Sequence, residues 1–67
     1  MTPEEAREGV ERIRALQSDD EAAHSDEDAL YRRFVSDVAE GKDLNDAPVV
    51  ASILMTTQGM MFMRWCA

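Results

Sequence analysis

Asp20, His24 and Asp28 stand at intervals of four residues. On a continuous helix they share one face, and an imidazole between two carboxylates is a donor set for a divalent cation. The same stretch carries two helix-capping pairs, Ser18 with Glu21 and Ser25 with Asp28. A helix that begins at Ser25 separates the three ligands, and no second histidine or nearby thiol completes a strong zinc site. The expectation is that the acids cap a helix and that His24 packs or lies on the surface, with no metal and no cofactor. Cys66 is the single thiol. A nucleophilic cysteine needs a base within hydrogen-bond reach and a lowered pKa. The one histidine is forty-two residues away in sequence and the surroundings are apolar, so the thiol is read as structural or incidental. No glycine-rich phosphate loop, paired CxxC or nucleophile elbow is present. The chain is not expected to be an enzyme.

Two other groups of residues bear on function through binding. Asp19, Asp20, Glu21, Asp26, Glu27 and Asp28 form an acidic patch within SDDEAAHSDED, residues 18–28, which holds no cation. Carboxylates at such density imitate the phosphate row of a nucleic acid, and they also serve simply as a solvated helix-cap region. At the other end, Met60, Met61, Phe62, Met63 and Trp65 concentrate apolar surface in a few residues. Methionines and aromatics are favoured at adaptable interfaces. This tail either closes the core of a protein short of apolar mass or docks on a partner or a second copy.

These groups must be positioned by helices. Thr2 and Glu5 form a capping box with Pro3 at the first helical position. Ala6, Val10, Ile13 and Leu16 then recur on one stripe. Gly9 lies on that stripe, where glycine costs about 1 kcal/mol against alanine, so a neighbouring helix is expected to approach closely there. A second helix carries Leu30, Tyr31, Phe34, Val35 and Val38 and stops at Gly41. If it ran unbroken from residue 19, Glu27 would point into its apolar stripe, which favours the start at Ser25. Phe34 is expected at the centre of the core, opposite Ile13 and Ile53. Asp46 is positioned to cap a third helix with Pro48 in its first turn. Val49, Val50, Ile53 and Leu54 make that helix largely buried, Ser52 and Thr56 give it a thin polar face, and Gly59 ends it. Its β-branched residues leave a strand open as the alternative.

Composition narrows the classes of function. All fourteen acids lie between Glu4 and Asp46, and the last twenty-one residues carry one charge, Arg64. The net charge of −7 opposes direct binding to nucleic acid or to anionic lipid and permits binding to a basic protein surface. Arg12, Arg14, Arg32 and Arg33 have acids at helical neighbour spacing, so they form no nucleic-acid footprint. No apolar run approaches a membrane span, and the N-terminal residues lack the pattern of a signal peptide. A single cysteine fits a reducing compartment, so a cytoplasmic location is expected. Sixty-seven residues bury only about 60% of the surface the unfolded chain exposes, which makes a homodimer a plausible supplement to stability.

Three stretches read together, DDEAAHSDEDALY at 19–31, FVSDVAEG at 34–41 and FMRWCA at 62–67, resemble short acidic proteins encoded by tailed phages of actinobacteria. The similarity spans most of residues 19–67, and the Arg-Trp-Cys-Ala ending is its most specific part. Met60 and Met61 depart from it, since acidic or amide residues are usual there. The resemblance implies a small accessory protein made in the host cytoplasm during infection. It brings no activity and no site.

The expected architecture is all-α: one small domain, residues 1–67, of three helices over 3–17, 25–40 and 47–58, with the apolar tail packed on them. The expected function is noncatalytic binding to a host or phage protein. The alternative is an acidic nucleic-acid mimic that inhibits a host DNA- or RNA-binding protein.

Overall fold

The computed structural model describes residues 1–63. Their regular structure is all-helical: α1 (Pro3–Ala15), α2 (Asp20–Ala39) and α3 (Ala47–Met55), with short 3-10 turns at Leu44–Asp46 and Thr56–Gly59. The strand alternative for the third element falls away.

The start of α1 is the one expected. Glu5 N–H donates to Thr2 Oγ1 at 3.1 Å, and Thr2 N–H donates to Glu5 Oε1 at 2.9 Å. This reciprocal pair satisfies two amides that have no partner within the helix. Ala6, Gly9, Val10 and Ile13 are buried on one face of α1. A Cβ built on Gly9 would lie 2.6 Å from Leu30 Cδ1, so the Leu30 side chain packs directly over the glycine and would have to shift to admit any larger residue.

Helix α2 corrects the expected start at Ser25. It is continuous from Asp20, capped by Asp19, whose carboxylate accepts from Ala22 N–H at 3.1 Å. Neither Ser18 nor Ser25 is the cap. As continuity requires, Glu27 turns inward and is 5% exposed, a charged side chain in the middle of an apolar stripe. The helix ends as anticipated, in a Schellman motif. Gly41 takes φ +80°, its N–H donates to Val38 O at 3.0 Å, and Lys42 N–H donates to Asp37 O at 2.9 Å.

Helix α1 packs against both α2 and α3, while α2 and α3 make few direct contacts with each other. The core therefore centres on Ile13 and Val50, both fully buried. This corrects the place expected for Phe34, which lies half-buried at the core's edge. Val35 is 65% exposed, and Val38 is exposed as well, because α2 has a helix on one side only. Helix α3 is less buried than expected for the same reason: Val50 and Leu54 face inward, while Val49 and Met55 face solvent. Its polar residues bond locally, with Ser52 Oγ donating to Pro48 O at 3.0 Å and Thr56 Oγ1 to Ile53 O at 2.6 Å. Asp46 makes no side-chain cap; it closes the preceding 3-10 turn with its own N–H donating to Asp43 O at 3.0 Å. No helix among the described residues is long and apolar enough to cross a membrane.

Candidate functional site

The tail leaves the 3-10 turn Thr56–Gly59 in an extended conformation, with Met60 at φ −80°, ψ 147°. Two amides hold it down: Met60 N–H donates to Thr57 O at 3.0 Å, and Met61 N–H donates to Gln17 Oε1 at 3.2 Å. Extended backbone sends alternate side chains to opposite sides. Met60 and Phe62 accordingly enter the core, while Met61 is 85% exposed and Met63 is 43% exposed. Residues 60–63 line a shallow groove of about 320 Å³. Among the described residues of the tail, Met60 and Phe62 thus close the core, and Met61 and Met63 are presented. Trp65, the remaining member of the expected interaction set, and Cys66 lie outside the described residues.

Beneath the tail lies a buried polar network that sequence reasoning missed. Thr57 is fully buried, and its hydroxyl lies 2.6 Å from Glu27 Oε2, 3.1 Å from Leu54 O and 3.1 Å from Tyr31 Oη. The hydroxyl has one proton. The shortest contact is to a carboxylate oxygen, in the range of charge-assisted bonds, so the Thr57 hydroxyl donates to Glu27. Tyr31 then donates to Leu54 O at 2.8 Å and accepts from Gln58 Nε2 at 3.2 Å. This network joins the middle of α2 to the last turn of α3 and the 3-10 turn after it, across a seam where α2 and α3 make few direct contacts. A buried acid demands a donor. The signal for Thr57 was therefore Glu27 itself, once α2 is taken as continuous.

The acidic patch is split by the fold. Asp19, Asp20, Glu21 and Asp28 are exposed, Asp26 is half-buried and Glu27 is withdrawn into the core. A single acidic surface of six carboxylates, as expected from sequence, does not form. Asp20, His24 and Asp28 do share one helix face, and His24 Nε2 lies 3.5 Å from Asp28 Oδ2. Among the described residues no three His, Cys, Asp or Glu side chains converge as a metal-binding group. Asp26 faces a small groove of about 140 Å³ between α1 and α2, which Arg12, Arg33, Gly9, Ala29 and Leu30 also line.

A chain of charges closes the opposite end of the molecule. The α-ammonium group of Met1 lies 2.8 Å from Asp37 Oδ2 and 3.1 Å from Asp43 Oδ2. Arg33 bridges onward, 3.9 Å from Asp37 Oδ2 and 2.7 Å from Glu5 Oε2. Asp37 holds the amine above its ordinary pKa of 8.0, with burial opposing the shift, and the ammonium holds Asp37 below its ordinary 3.8. Glu5 is lowered to about 2, chiefly by the Thr2 N–H that it accepts and then by Arg33. No motif announces this chain, because one of its members is a backbone amine.

Comparison of the chain with known protein families, with curated proteins and with solved structures gives no match.

Proposed function

We propose that the protein is a noncatalytic binding module, a phage-type accessory protein of the host cytoplasm that engages a host or phage protein through its methionine tail. One observation carries this reading: Met61 is 85% exposed in a segment whose neighbours Met60 and Phe62 are buried and whose amide is tied to Gln17. Because the backbone that carries Met61 is already anchored, binding there orders the side chain alone, which favours association. Methionine's flexible thioether suits it to an irregular partner surface. Exposed Met63 extends the same face.

The alternative, an acidic mimic of nucleic acid, retains the exposed carboxylates of Asp20, Glu21 and Asp28 and loses Glu27 to the core. Salt separates the two. Recovery of a partner from host lysate, repeated at low and high salt, should be salt-resistant for the tail and steeply salt-sensitive for a mimic. Replacing Met61 and Met63 with Glu should abolish recovery while leaving the melting temperature unchanged. Recovery that survives this change and disappears on converting Asp20, Glu21 and Asp28 to amides would replace the first reading with the second. Sedimentation of the free protein reveals a homodimer if the tail of one copy is the partner of another.

A further inference from the structure

We propose that the exposed methionines of the tail and the acidic start of α2 form one docking surface, suited to a partner segment in which apolar residues are flanked by lysine or arginine. This rests on the tail reading above and gives the partner a chemistry. Two hydrogen bonds set the course of the tail. The Thr57 hydroxyl donates to Glu27 in the middle of α2 at 2.6 Å, and Met61 N–H donates to Gln17 Oε1 at 3.2 Å. Gln17 lies in the turn between α1 and α2, two residues before the cap Asp19. From Thr57 to Met61 the chain therefore runs back along α2 toward its start. Met61 is presented beside that turn, 85% exposed, and with Met63 it borders the shallow groove of about 320 Å³.

The start of α2 carries Asp19, Asp20 and Glu21, all exposed. Local helix chemistry holds them there: Asp19 accepts from Ala22 N–H at 3.1 Å, and the helix dipole favours acids in the first turn. None of the three has a cationic partner among the described residues. Arg14, in the last turn of α1, is engaged by Glu11 at 3.4 Å, and Arg64 lies outside the described residues. Two apolar side chains held out beside three unpaired carboxylates are complemented by the converse pattern, an apolar centre with a basic rim. A nucleic acid does not supply it, because a phosphate row covers no methionine and is repelled by the acids. The two parts of the surface act at different stages. The exposed carboxylates speed encounter with a basic segment and are screened by salt, whereas the apolar contact sets how long the complex lasts.

Three synthetic helical peptides of equal length test this, one built from leucine and lysine, one from leucine and glutamate, and one from serine and lysine. Binding is located in the ¹³C-methyl spectrum of methionine-labelled protein and timed by stopped flow. The leucine–lysine peptide should shift the Met61 and Met63 methyl signals and leave those of buried Met1 and Met60 in place. The leucine–glutamate peptide should shift none of them. The serine–lysine peptide should bind about tenfold more weakly or worse, since it leaves the methionines uncovered. Converting Asp19, Asp20 and Glu21 to their amides keeps a competent cap at position 19 and should slow association of the leucine–lysine peptide about tenfold at low salt, with dissociation little changed. Equal responses to the leucine–lysine and leucine–glutamate peptides overturn the basic partner. So does a leucine–lysine peptide that leaves Met61 and Met63 unmoved, that the serine–lysine peptide matches, or that associates with the amide form at the native rate. The tail reading itself is decided separately, by recovery of a partner after Met61 and Met63 are replaced with Glu.

Discussion

Thr57→Val removes one hydroxyl from the centre of the molecule and nearly conserves side-chain shape. Thr57 is fully buried and donates to Glu27 across 2.6 Å. A hydrogen bond to a charged group contributes about 1.5–3 kcal/mol. The methyl that replaces the hydroxyl returns part of this, since a buried CH₂ contributes about 0.8 kcal/mol. The net cost is about 1–2 kcal/mol. In a domain of this size that lowers the melting temperature by roughly 5–15 °C. Thermal unfolding followed by circular dichroism at 222 nm measures it. Thr57→Ser is the control, because it keeps the hydroxyl and loses only a methyl. The assignment of the proton to Glu27 rather than to Leu54 O is tested by repeating Thr57→Val in a Glu27→Gln background. If the hydroxyl acts on the carboxylate charge, the two changes are coupled by about 1 kcal/mol. Strict additivity, or a Thr57→Val protein that melts with the wild type, would show that the network contributes nothing to stability.

Three further outcomes follow from the packing and the charges. Phe62→Ala should cost about 3–5 kcal/mol by opening the core under the tail, whereas Met61→Ala should stay within about 0.5 kcal/mol in the same melts. Ile13→Ala should destabilise more than Phe34→Ala in urea unfolding, because Ile13 is fully buried between two helices and Phe34 sits at an edge; the reverse order would mean that the core is centred on α2 after all. Glu5 is lowered in the folded state to about 2, so its stabilising effect is present above its ordinary 4.5 and is lost as pH falls through about 2. Glu5→Gln should flatten the stability–pH curve over that window, and an unchanged acid limb would remove Glu5 from the charge chain.

The start of α1 and the end of α2 were readable because they are set by contacts between near neighbours. Thr2, Pro3 and Glu5 start α1 with side chains three residues apart, and Gly41 ends α2 by taking the left-handed conformation that lets Lys42 N–H reach Asp37 O. The beginning of α2 was not readable in this way. Ser18, Asp19 and Ser25 are all competent caps, and local chemistry does not choose among them. The choice goes to Asp19 because Thr57, thirty positions beyond Glu27, arrives to hydrogen-bond the acid that a continuous helix buries. The expectation of a break assumed that an apolar stripe has no place for a carboxylate. It has one where a buried hydroxyl comes to meet it.

The sequence by itself determined the helical class, the stripe of α1, the close crossing at Gly9 and the apolar character of the tail. Each follows from residue type at short spacing. Tertiary structure alone decided which apolar faces are covered. Phe34, Val35, Val38 and Val49 look like core by periodicity, yet α1 lies between the other two helices, which leaves Phe34 at the edge and the other three exposed. It also decided that Met60 and Phe62 are anchors while Met61 is presented. The same residue types stand on both sides of an extended strand of chain, and only the surface beneath it assigns inside and outside. The ion pairs of Asp37 and Asp43 with the Met1 amine belong to this second group, since these carboxylates become its neighbours only when α2 and the connection fold back past the start of α1.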